Sequence, residues 1–144
     1  MPQTPRPTGL SAFPPVMRAA AIYFLIVFGA GFAFGVVRVP LAVPLLGERT
    51  AELLEMPLML GVMVLAARWL VQRYAERLTM HHFVGVGVLC AVAVVVADFA
   101  VGMGLRGMTA AQVVLDRDPV SGTVYCLLVL VCAGLPVWLR ARRR

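Results

Sequence analysis

Residues 83–105 read FVGVGVLCAVAVVVADFAVGMGL, an apolar run interrupted by a single charge, Asp98. A helix rises about 1.5 Å per residue, so a run of this length covers the roughly 30 Å hydrocarbon core of a bilayer. Barrel strands would be about ten residues long with alternating polarity, a pattern this run lacks. The expected element is therefore a membrane-spanning helix.

Three further runs read the same way. Residues 19–37 are uncharged and bracketed by Arg18 and Arg38. Residues 53–71 carry Glu55 near one end and Arg68 near the other, and residues 120–139 are uncharged up to the run Arg140-Ala-Arg-Arg-Arg. Across the 144 residues, 61% are hydrophobic and 14% charged. Soluble domains carry about 25% charged residues, so water is the wrong solvent for this surface. The predicted fold is all-α: an integral membrane bundle of four transmembrane helices over residues 18–139, with a Pro-rich tail (1–17) and a basic tail (140–144). The tail, with Pro2, Pro5, Pro7, Pro14 and Pro15, is expected to be extended. The first apolar run is longer than a secretory h-region and no small-x-small cleavage site precedes Arg38, so it is expected to be retained.

All 13 basic residues are arginine, which gives a formal charge of +6. They sit at the ends of the apolar runs, not along one polar face, which argues against nucleic acid as a partner. Nine of them (Arg6, Arg18, Arg68, Arg73, Arg77, Arg140, Arg142, Arg143 and Arg144) share a side if the termini and the second-to-third connection lie together; Arg38, Arg49, Arg106 and Arg117 fall on the other. The arginine-rich side is expected to be cytoplasmic, in a bacterial inner membrane. Arg68, Arg73, Arg77 and Arg140 are then placed to meet anionic lipid headgroups.

The connections carry local signals. Pro40 and Pro44 argue against regular helix after the first span, and the segment is apolar enough to lie in the outer interface. Thr50 is the expected N-cap of the second helix, with Pro57 kinking it or marking the start of its regular part. A turn is expected near residues 78–82. Thr109 with Gln112 has capping-box spacing, and Asp118-Pro119 has the form of an N-cap followed by proline at N1. Gly31 and Gly35 form a small-xxx-small pair that predicts close helix packing, within the chain or between copies. Met56, Met59 and Met63, at helical spacing, read as ordinary core.

The polar residues of interest lie at one depth. Arg38 ends the first span, Glu55 opens the second at the same face, and Asp98 lies roughly 10 Å below that interface on the third. Arg106 is near this level, and Glu48, Glu52 and Glu55 align on one helix face as an outer acidic surface. One reading is a structural ion-pair network in which Arg38 and Arg106 neutralise Glu55 and Asp98, because an unpaired carboxylate in lipid is costly. The other is an ion- or proton-handling site. Against it, helix three offers no polar relay from Phe83 to Ala97. The adjacent pair His81-His82 lacks further ligands for a metal, and Cys90, Cys126 and Cys132 show no CxxC spacing and read as small apolar residues. No cofactor or metal is expected, and no nucleotide loop or nucleophile–base motif points to an enzyme.

Arg38-Val-Pro, Gly47-Glu48, Leu54-Glu55-Met-Pro57, Ala67-Arg68-Trp69 and Asp116-Arg-Asp-Pro119-Val-Ser-Gly122-Thr-Val-Tyr125 together resemble a family of small four-helix bacterial inner-membrane proteins without an established activity. The resemblance implies the four-span fold and supplies no substrate or cofactor. Small multidrug exporters are similar in size but require a carboxylate in the middle of helix one, and fluoride channels a Thr/Ser/Phe-rich third helix; both features are missing here. The expected role is a structural, assembly or accessory component of a membrane complex, with a membrane-protein partner or a second copy. The alternative is a small oligomeric transporter or channel using the outer-leaflet carboxylates.

Overall fold

The computed structural model describes residues 13–143, and the described residues form helices joined by short turns, without strands. Helix α1 (Phe13–Val37) runs through a π-helical turn (Arg38–Ala42) into a short α2 (Val43–Leu46); α3 (Glu48–Tyr74), α4 (Met80–Gly104), a short α5 (Ala110–Leu115) and α6 (Pro119–Ala141) follow. Four helices are long and apolar enough to cross a membrane, counting residues 13–46 as one run. Their outward faces are apolar: Leu25, Leu65 and Leu130 are 65%, 68% and 67% exposed. Water would not tolerate such faces at mid-helix, whereas lipid does. The described residues form an all-helical bundle whose four long helices have the length and apolar character of a multi-pass membrane protein.

Several boundaries differ from the sequence expectation, each for a local reason. The N-terminal tail was expected to run to residue 17, yet α1 already begins at Phe13 with Pro14 and Pro15 in its first turn. Proline is tolerated there because first-turn N–H groups have no helical partner anyway. Residues 1–12 of that tail lie outside the described residues. The segment after α1 stays helical despite its prolines. Pro40 has no N–H to give, and the chain widens by one residue per turn, the N–H of Val43 donating to the carbonyl of Arg38 five residues back. Gly47, at φ +80°, breaks the run and caps α3, so Thr50 lies inside the helix and is not its N-cap. The next turn falls at residues 75–79, slightly before its expected place.

Two caps follow the sequence signals. Thr109 and Gln112 close a reciprocal box at the start of α5. The Asp118 carboxylate accepts from the N–H groups of Val120 and Ser121 ahead of Pro119.

α1 packs on α3 and α4, and α6 packs on the same two, so α1 stands opposite α6 and the consecutive helices α3 and α4 stand opposite each other. The buried residues fall unevenly along this bundle. Ala19, Tyr23 and Val27 come from the first half of α1, Phe83, Val86 and Cys90 from the first half of α4, Ala67, Leu70 and Val71 from the second half of α3, and Cys132 and Leu135 from the second half of α6. All belong to the half that carries the termini. Gly87 lets α4 and α6 approach there until a Cβ on it would collide with the carbonyl oxygen of Ala133. The other half is open inside.

Candidate functional site

The open half encloses a cavity of about 500 Å³. Val27, Met63, Ala91, Val94 and Cys132 form its floor, and Phe28, Gly31, Gly35, Met59 and Leu128 line its walls. Polar side chains gather at the mouth. The interval from Glu52 to Met63 on α3 and that from Ser121 to Cys132 on α6 each correspond to roughly 16 Å of helix rise. The cavity therefore reaches about half-way through a hydrocarbon core of roughly 30 Å. Its size falls within the roughly 300–1,000 Å³ of small-molecule sites, with the mostly apolar lining such sites have.

One side of the mouth is built around Arg38, which the π turn carries over the start of α3. Glu52 and Glu55, three residues apart on one face of α3, both turn to it: Arg38 Nη1 lies 3.4 Å from Glu52 Oε1 and 3.3 Å from Glu55 Oε2. The fit is incomplete. Arg38 Nε and Glu55 Oε2 are buried without a hydrogen-bond partner, the Arg38–Glu55 contact being an ion pair that lacks hydrogen-bond alignment.

The other side is built around Asp98. The Tyr125 hydroxyl on α6 donates to Asp98 Oδ2 on α4, and the Arg117 guanidinium lies 4.3 Å from the centre of the Tyr125 ring. Above them, Arg49 Nε and Nη2 donate to Asp118 Oδ1 at 2.9 and 2.5 Å, tying the start of α3 to the start of α6. That hydrogen bond, helped by the backbone N–H of Ser121, holds the Asp118 carboxyl below its ordinary range.

The expected four-membered network of Arg38, Glu55, Asp98 and Arg106 thus divides. Arg38 and Glu55 meet, joined by Glu52, which had been placed on the outer acidic face; Glu48 stays exposed. Asp98 goes to Tyr125 on α6, which packs against α4. Arg106 borders the cavity, is exposed, and makes no ion pair among the described residues. Tyr125 and Arg117 were not singled out from sequence as site residues.

The Gly31/Gly35 pair does not mediate helix packing within the bundle. A Cβ on Gly31 would meet only the Met59 side chain, and nothing lies within 4 Å of a Cβ on Gly35; both line the cavity. Met56, Met59 and Met63 also line it, Met59 and Met63 while belonging to the core.

Beneath the floor, the Tyr23 hydroxyl donates to the Cys132 carbonyl at 3.2 Å, and the thiols of Cys90 and Cys132 sit 3.6 Å apart. Sequence spacing could not reveal that pair, since the two cysteines come from different helices. His82 has a local role, its Nδ1 accepting from the Thr79 N–H at the start of α4. At the far end Arg68, Arg73 and Arg77 are exposed, Arg77 and Arg140 border one depression, and Arg142 lies over the Trp138 ring at 4.0 Å. The chain matches no protein-family model, no curated protein and no solved structure.

Proposed function

We propose that this chain is an accessory component of a bacterial inner membrane, with both termini cytoplasmic, and that its open half engages what it serves from the outer leaflet. The arginine bias toward the end carrying the termini supports that orientation. Anionic headgroups at Arg68, Arg73, Arg77 and Arg140 are the proposed lipid partners there. One observation carries the functional reading: the polar residues ring a cavity that stops half-way. Below it Leu70, Val71, Phe83 and Val86 are fully buried and apolar. Such a plug suits holding a guest and gives no path for an ion.

A second reading, a small oligomeric proton- or ion-coupled transporter, is favoured by Glu55 Oε2, a buried carboxylate oxygen without a hydrogen bond beside a cavity. Purification from the native membrane in mild detergent separates the two. The accessory reading expects a retained protein or lipid-like guest, and no proton flux from the purified chain in liposomes. Gradient-driven flux that Asp98→Asn abolishes in a folded protein, with no guest retained, would replace it by the transporter.

A further inference from the structure

From the geometry of the cavity we infer that its guest is a single-chain anionic amphiphile, a carboxylate or phosphate head on one acyl-type tail. The inference rests on the reading that the open half holds a guest, and it names that guest's chemistry.

The tail follows from shape. The walls are apolar from Met59 down to Val94 and Cys132, and the depth corresponds to one leaflet, the span of a single lipid chain. A chain entering from the outer leaflet keeps its head at the level of the surrounding headgroups. The glycines at 31 and 35 make room for it, since a side chain on Gly35 would project where no protein atom lies within 4 Å.

The head follows from which charges are already matched. Three carboxylates border the mouth, and each faces a partner: Arg38 forms ion pairs with Glu52 and Glu55, and the Tyr125 hydroxyl donates to Asp98, which leaves Glu55 Oε2 as the one buried carboxylate oxygen without a hydrogen bond among the described residues. Three guanidinium groups border it too: Arg38 faces Glu52 and Glu55, Arg117 lies on the Tyr125 ring, and that of Arg106 has no partner among the described residues. Neither Arg106 nor Arg117 has a carboxylate within 4 Å among the described residues, and Arg38 Nε is buried with no acceptor. The unmatched hydrogen-bonding capacity is thus mostly donor and positive. A carboxylate or phosphate supplies acceptors in the fork geometry that guanidinium groups bind best. A cationic head would instead compete with Arg38 for Glu52 and Glu55.

The test uses the full chain in nanodiscs with palmitate carrying a photoactivatable diazirine at the tail end, adducts being mapped by mass spectrometry. Adducts are expected on Met59, Met63 and Val94. Gly35→Leu, which projects into the cavity without touching the packed half, should abolish them without lowering the unfolding midpoint. Arg106→Gln with Arg117→Gln should weaken labelling about tenfold, the scale of lost charge-assisted hydrogen bonds. The equivalent diazirine alcohol should label weakly and be indifferent to those two changes. Adducts confined to the outward residues Leu25, Leu65 and Leu130, labelling that survives Gly35→Leu, or stronger labelling by a hexadecyltrimethylammonium analogue would each overturn the inference. If palmitate fails but a co-purified protein crosslinks into the cavity, the amphiphile is wrong and the accessory reading stands. If neither binds, both fall.

Discussion

Adding one methyl group at either of two glycines distinguishes the packed half of the bundle from the open half. On Gly87 the new Cβ would overlap the carbonyl oxygen of Ala133 and stand 2.9 Å from the carbonyl carbon and 3.2 Å from the Cα of that residue. All three are backbone atoms, so no rotamer change relieves the contact and α4 must move away from α6. That movement loosens the neighbouring packing of Cys90 against Cys132 and of Leu135 in the core. Overpacking costs about 1–3 kcal/mol, and a shift between rigid helices belongs at the upper end. The greater helix preference of alanine over glycine returns about 0.5–1 kcal/mol, leaving Gly87→Ala roughly 2 kcal/mol less stable. On Gly35 the same methyl meets nothing within 4 Å, so only the favourable part applies, and Gly35→Ala should be neutral or more stable by about 0.5–1 kcal/mol. Unfolding by SDS titration in mixed micelles, followed by the fluorescence of Trp69 and Trp138, measures both. Equal effects of the two variants, or a stable Gly87→Ala, would refute the division into a packed and an open half.

Arg38→Met should destabilise by about 3 kcal/mol, because it strands two half-buried carboxylates, and adding Glu52→Gln and Glu55→Gln should recover most of the loss; a triple variant no more stable than Arg38→Met contradicts the pairing. Tyr23→Phe should cost about 0.5–1 kcal/mol for its single buried hydrogen bond to Cys132, measured in the same titration, and a cost near zero would show that bond to be idle. The lowered Asp118 carboxyl stabilises the fold in full above its unfolded value near pH 4, and that contribution disappears as pH falls through the still lower folded value. Wild type and Arg49→Gln should therefore differ in thermal midpoint at about pH 7 and converge at about pH 2–3; a gap that widens in acid contradicts the sign.

The spans were legible because hydropathy over some twenty residues depends on no neighbour. Run 83–105 and the three like it needed only length and charge. The capping signals at Thr109 and Asp118 were legible for the same reason, since each is closed by residues within three positions. What sequence could not give was partner choice across helices. Asp98 was assigned to arginines because they share its depth, but azimuth, not depth, delivers it to Tyr125. Cys90 and Cys132 meet across α4 and α6 near the point where Gly87 lets those two helices close on each other. The Gly31/Gly35 pair lines the cavity instead of an interface within the chain, because small-xxx-small spacing describes a groove and not what fills it. Pro40 misled because it excludes an α-turn, and the wider π turn remained open to the chain.

Thiol accessibility in vesicles of known orientation tests the half-open bundle most directly. In a background with Cys90, Cys126 and Cys132 replaced by alanine, single cysteines are placed at Gly35 in the cavity and at Leu70 in the plug. A membrane-impermeant maleimide should label Gly35→Cys only from the side opposite the termini and leave Leu70→Cys untouched from either side. Labelling of Leu70→Cys in the folded protein, or of Gly35→Cys from the side that carries the termini, would contradict the account.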